Sequence, residues 1–164
     1  MIGNFREIFS KIKLLILDFD GVLTDGYVYM DVNGKESIRC SHRDGMGVQL
    51  LRRAGVEVVV ITNQESNYVV KRCNKMKIKC IQTRGNKMEK LSDLLKNREL
   101  REVCCIGDDV NDVEVMEHVG LLVAVADAEK AVKQVATYST LRCGGQGAVR
   151  EVCDLILHYK EVGQ

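Results

Sequence analysis

Apolar residues along the chain gather into short dense runs, and between the runs they recur at helical spacing. KLLILD at 13–18, VEVVVI at 56–61 and the stretches 79–82, 102–106 and 121–125 have the length and density of buried strands. Helical patterns cover 45–54, closed by Gly55, and then 65–76, 87–97, 111–118, 128–135 and 146–160. The tract GYVYMDVNGKESIRC at 26–40 alternates apolar with other residues around Asn33-Gly34, a hairpin signal. Strand and helix in alternation predict an α/β fold: a doubly wound, Rossmann-like parallel sheet with helices on both faces and a projecting β-hairpin. No repeat, low-complexity tract or linker interrupts residues 1–164, so one domain is expected.

Composition narrows the partners. Lys and Arg number 24 against 23 Asp and Glu, a net charge of +1 with the signs interspersed, which gives no footprint for nucleic acid and no polybasic patch for a membrane. The apolar runs are too short to span a bilayer, and the opening MIGNFREIFSKIK has no secretory h-region. Seven cysteines, an odd number without a C-x-x-C pair, read as reduced thiols of a cytoplasmic protein.

Ligands of doubly wound sheets sit at the carboxyl ends of the strands, and polar residues collect there. The first strand ends at Asp18-Phe19-Asp20-Gly21, the second at Thr62-Asn63, and the fourth at Gly107-Asp108-Asp109, while Lys87 opens the helix after the third. Aspartates at i and i+2 of a strand end point to the same side. A further carboxylate from Asp108-Asp109 crowds them, and like charges so close need a proton or a cation between them. Mg²⁺ is the fitting ion, because it prefers one or two carboxylates, waters and a phosphate. Asp18 could then attack phosphorus to give an aspartyl-phosphate that water hydrolyses. Asp20 is placed to protonate the leaving oxygen and later to activate that water. Thr62, the Asn63 N–H and the Lys87 ammonium would hold the phosphoryl oxygens. Blander readings exist for single residues: Asp109 and Asp112 suit a helix N-terminus, Arg43-Asp44 suits a helix-start turn, and a lone Lys87 would be an ordinary surface lysine. Their joint register is what promotes them.

DFDGVLTDG behind a strand, the second-strand Thr, the single Lys and GDDVND resemble, in order and spacing, the four motifs of the haloacid dehalogenase-like hydrolases. RDGMG at 43–47, GDDVNDVEVMEHVGLLVAVADA at 107–128 and GGQGAVREVCDLIL at 144–157 are similar to tracts of the capless phosphatases acting on 3-deoxy-2-keto sugar acids. The similarity runs from about Lys13 to Tyr159. The resemblance implies the absence of a separate cap domain, with Asp18 as nucleophile and Asp20 as general acid/base that also lends its carbonyl to Mg²⁺. It implies Asp108 as the third metal ligand, Asp109 and Asp112 behind it, and Thr62, Asn63 and Lys87 as phosphate-binding positions. It implies a homotetramer too, in which the hairpin builds a central barrel and a neighbouring subunit closes each site. The implied substrate is a sugar phosphate, 3-deoxy-D-manno-octulosonate 8-phosphate.

Two departures bear on that substrate. Where the octulosonate phosphatases carry Gly-Arg and the nonulosonate 9-phosphate phosphatases Gly-Glu, this chain has Asn63-Gln64, and the usual GGRG has Gln146 in place of Arg. Arg43, Asp44, Gln64 and Gln146 are therefore the candidate sugar contacts. Alternatives are a nonulosonate 9-phosphate phosphatase and a non-catalytic tetramerisation module, similar to the domain fused behind sialic acid cytidylyltransferases. The complete set Asp18, Asp20, Thr62, Lys87 and Asp108 favours an enzyme. A response-regulator receiver domain is disfavoured, since its phosphorylated Asp lies on the third strand.

Overall fold

A computed structural model describes residues 2–85 and 87–161. In chain order the first elements are α1 (Ile2–Ser10), β1 (Leu14–Leu17), hairpin strands β2 (Tyr29–Met30) and β3 (Glu36–Ser37), α2 (His42–Arg53) and β4 (Glu57–Thr62). Then come α3 (Asn67–Met76), β5 (Lys79–Gln82), α4 (Lys87–Leu95), β6 (Val103–Gly107) and α5 (Val110–Met116). The chain closes with β7 (Leu121–Ala124), α6 (Lys130–Val135), β8 (Tyr138–Ser139) and α7 (Ala148–Glu161).

Six strands form one parallel sheet in the order β5-β4-β1-β6-β7-β8. Burial on both faces explains why its inner strands are continuously apolar: β1 and β6 are buried at every residue, Cys104 and Cys105 included. The expected doubly wound fold is therefore the observed one. The helices fall into two packed groups, α1, α2, α3 and α7 in one and α4, α5 and α6 in the other. The chain winds outward from β1 through β4 to β5, then returns to β6 on the other side of β1. The switch point between β1 and β6 is where such a sheet opens a crevice at its carboxyl edge.

Three differences from the sequence pattern have physical causes. Helix α1 lies where charges interrupt the apolar residues; Phe9 is buried and rings with Tyr138 and Tyr159 at about 6 Å, so tertiary packing holds it. Strand β8 is two residues long at the sheet edge, too short to leave a periodic trace. The hairpin at 26–40 is mostly loop: β2 and β3 pair over two residues each, and Thr24 and Cys40 bridge its base. Its tip is shaped by Asp31, whose Oδ1 accepts from the Asn33 and Lys35 N–H groups at 2.9 Å, and by Gly34 at φ +77°.

Candidate active site

β1 delivers Asp18 to the crevice, its own N–H still donating to Ile106 O at 3.1 Å as an extension of the ladder. Asp18 is buried, and its Oδ1 accepts from Lys87 Nζ at 2.6 Å. The same ammonium donates to Asp112 Oδ1 at 2.7 Å, while Asp112 Oδ2 accepts from the Asp108 N–H at 3.0 Å. Asp112 therefore spends both oxygens on bracing, one on Lys87 and one on the β6–α5 turn. Lys87 opens α4 and is 4% exposed, so its register with the carboxylates is fixed by the sheet. A lysine so buried is rare unless paired.

Oxygens of Asp18, Asp108 and Asp112 come within 4.8 Å of one another. Three carboxylates meet one ammonium, and the electrostatics show the imbalance. Burial, then repulsion from Asp112, pushes the Asp18 carboxyl up to about 7 despite Lys87. Burial, then Asp18, Asp112 and Asp109, pushes Asp108 up to about 8. For Lys87, burial alone would depress the ammonium, but Asp18 and Asp112 outweigh it and hold its pKa well above the usual lysine range. This donor set, oxygen-only and short of positive charge, suits a hard divalent cation.

Asp20 follows on the same turn, half-buried, its carboxyl raised by burial. Thr24 clasps that turn: its Oγ1 accepts from the N–H groups of Gly21 at 3.1 Å and Gly26 at 3.2 Å, and can donate to Asp20 Oδ1 at 3.4 Å. Gly21 sits at φ +75°, and a Cβ there would lie 1.8 Å from Asp108 Oδ2, so only glycine allows the β1 and β6 turns to meet. Gly107 plays the same part against Asp112, and Gly144 against the Gly21 carbonyl, where a Cβ would lie 1.6 Å away. The glycine-rich 144–147 turn is thus packed onto the DFDG turn, with Gly145 N–H donating to Val22 O at 3.0 Å.

Thr62 ends β4, buried, its Oγ1 accepting from the Gln64 N–H at 3.1 Å. Exposed Asn63 follows, and Thr83 Oγ1 hydrogen-bonds to its side-chain carbonyl. Thr83 and Thr24 are the polar residues that sequence reasoning left out; Thr83 stands after β5 at the level of Thr62, a strand-end position that could have flagged it. Asp109 is the exposed N-cap of α5, its side chain accepting from Val110 N–H at 2.6 Å.

The candidate sugar contacts divide. Arg43 and Gln146 line an open recess of about 430 Å³ together with Arg39, Cys40, Ser41 and Gly145. Gln64 is partly buried, its Nε2 donating to Tyr68 OH at 2.9 Å. Asp44 is fully buried inside α2, where Oδ1 accepts from Arg150 N–H at 2.8 Å and ties α2 to α7. That burial raises its carboxyl pKa.

A profile of the haloacid dehalogenase-like hydrolases matches residues 57–150. The chain is 46% identical over 151 residues to the 3-deoxy-D-manno-octulosonate 8-phosphate phosphatase of Escherichia coli K12, covering 90% of this chain and 80% of that one. The enzyme of the same name from Yersinia pestis is 41% identical over 90% of this chain and 81% of its own. Among solved structures, the 3-deoxy-D-manno-octulosonate 8-phosphate phosphatase of Moraxella catarrhalis, in complex with a magnesium ion, a phosphate ion and KDO, superposes with a TM-score of 0.92. It is 32% identical over 98% of this chain and 94% of its own. The cobalt-bound enzyme of Haemophilus influenzae superposes with a TM-score of 0.88 at 32% identity, over 94% and 92% of the two chains. This chain belongs to the haloacid dehalogenase-like hydrolases. Its similar relatives are the sugar-acid phosphatases of that family.

Proposed function

We propose that the protein is a Mg²⁺-dependent phosphomonoester hydrolase acting on 3-deoxy-D-manno-octulosonate 8-phosphate. The observation that carries this reading is the buried Asp18–Lys87–Asp112 chain beside Asp108, with relatives that share the fold over most of both chains. Asp18 and Asp108, with the Asp20 carbonyl, would hold Mg²⁺, which neutralises the phosphate and the carboxylates so that they can approach each other.

The residues then act in two steps. An Asp18 carboxylate oxygen bonds to phosphorus, the bond from phosphorus to the sugar oxygen breaks, and Asp20 as its acid gives the leaving oxygen a proton. Burial holds Asp20 towards its acid form, which favours this role. Water next attacks the aspartyl-phosphate, Asp20 takes the water proton, and Asp18 leaves as carboxylate with inorganic phosphate as product. Lys87 keeps Asp18 oriented, while Thr62 Oγ1 and the Asn63 N–H receive the phosphoryl oxygens. Asp112 and Asp109 support the turn that carries Asp108. The sugar lies towards the recess of Arg43 and Gln146, with Asp44 buried behind Arg43; Gln64, two residues past Thr62, is a further candidate contact.

The hairpin supports a homotetramer in which a neighbour closes the site. Tyr27, Val28, Tyr29, Met30 and Val32 are all exposed, an apolar stretch broken only by Asp31 that a monomer would leave in water. No helix among the described residues is long and apolar enough to cross a membrane, and the free thiols suit the cytoplasm. The test is phosphate release from 3-deoxy-D-manno-octulosonate 8-phosphate and from nonulosonate 9-phosphates, with Mg²⁺ and with EDTA. Turnover of the octulosonate ester that survives EDTA or Asp18→Asn overturns the mechanism. A preference for nine-carbon esters overturns the substrate.

A further inference from the structure

A second cavity, of about 210 Å³, lies between α2 and α3. Arg52 from α2 and Arg72, Lys75 and Lys77 from α3 and its C-terminus line it; no aspartate or glutamate does. None of the four cations forms an ion pair with a carboxylate among the described residues. The chain as a whole carries a net charge of only +1, so this concentration is local.

The two guanidinium groups are held in place. Arg72 Nη2 donates to Ser41 O at 2.7 Å, and Arg52 Nη1 donates to Met76 O at 3.4 Å. Each leaves further N–H groups of its fork without a partner acid. Gly45 makes room for Arg72, since a Cβ there would stand 3.2 Å from its Nη2. Two helix C-termini meet here and favour positive charge, which accounts for its sign. It does not account for Lys77, which adopts φ +56° at the cap of α3, where glycine or asparagine would be the unstrained choice. A lysine held in the left-handed region at a cavity of other cations points to use of its charge.

We propose that this cavity is an anion site separate from the carboxylate rim, taking a small phosphate-class anion, inorganic phosphate or diphosphate. Its volume falls below the roughly 300 Å³ at which sites for larger organic ligands begin, which favours these ions over a nucleotide. Pre-positioned guanidinium forks and two ammonium groups match phosphate oxygens. The chemistry places the site next to reactions that release such ions: the phosphate ester hydrolysis proposed above, or a nucleotidyl transfer that yields diphosphate.

The experiment is a backbone-amide NMR titration of the full chain in EDTA, with phosphate in one arm and diphosphate in the other. Saturable shifts are expected across 45–53 and 72–77. Lys75→Gln combined with Lys77→Gly should weaken binding about tenfold, as loss of charged hydrogen bonds does. Lys77→Gly alone should raise Tm by relieving the left-handed lysine, which separates lost binding from lost folding. Saturation by phosphate alone assigns the hydrolytic product, and saturation by diphosphate assigns the nucleotidyl-transfer product. Shifts confined to residues 18–21, 62–63, 87 and 107–112, or equal affinity in the double variant, overturn the proposal.

Discussion

Removing Mg²⁺ should make the protein lose stability as pH rises through neutrality. In the metal-free protein Asp18 titrates at about 7 and Asp108 at about 8, against an ordinary 3.8. Between those limits the folded state binds more protons than the unfolded chain, so unfolding free energy falls with rising pH. Stability is highest below the unfolded value and the full cost is present above the folded one. Lys87 also has a raised pKa and so lowers stability with rising pH in the same sense, but only above its ordinary 10.5, outside this window. Moving one buried carboxyl from 3.8 to about 7 corresponds to ~4 kcal/mol at 1.36 kcal/mol per pH unit. Asp18 and Asp108 repel each other, so their costs overlap and are not additive. For a domain of this size ~4 kcal/mol corresponds to a fall in Tm of roughly 8–16 °C. The assay is thermal unfolding by circular dichroism from pH 5 to 9, in EDTA and in saturating Mg²⁺. The EDTA curve should fall across this range, and Mg²⁺ should lift its alkaline limb selectively. A flat or rising EDTA curve, or an equal effect of Mg²⁺ at pH 5 and pH 8.5, would refute the electrostatic account.

Asp18→Asn should abolish turnover while raising the metal-free Tm at pH 8, because it deletes one of three crowded carboxylates; phosphate release and calorimetry check the two parts. Gly144→Ala should destabilise by ~1–3 kcal/mol through overpacking against the Gly21 carbonyl, and lower kcat as the DFDG turn shifts; urea unfolding and steady-state kinetics measure both. Val32→Asp with Met30→Asp should reduce the mass seen by light scattering to that of a monomer and depress kcat/KM, whereas an unchanged mass would remove the hairpin from the assembly. Gln146→Ala should raise KM several-fold with little change in kcat, since a sugar contact at the recess supplies uniform binding.

Much of this was legible because the determinants are local. LLIL at 14–17 and VCCIG at 103–107 can only be strands buried on both faces, and the carboxylates directly after them follow from the topology. Periodicity does not report what distant segments make of a residue. Nothing near Asp44 shows that α7 will lie against it and turn a candidate contact into an inter-helix tie. Asp112 reads as a helix-end charge until Lys87 arrives from 25 residues away. Helix α1 has weak local signals because its stability comes from Tyr138 and Tyr159 at the other end of the chain.

The glycines around the carboxylates have a consequence for how such a protein changes over time. Gly21, Gly107 and Gly144 each leave a space already filled by a carboxylate or a carbonyl, so any side chain there displaces Asp108, the Asp112 that braces it, or the turn that carries Asp20. Arg43 and Gln146 are exposed on the recess and can be exchanged without moving that framework. If the recess receives the sugar as proposed, reaction and selectivity are written on separable sets of positions. A lineage or a laboratory library can wander among sugar phosphates by drift at the rim, while hydrolysis itself stays insulated behind residues that have no side chain to vary.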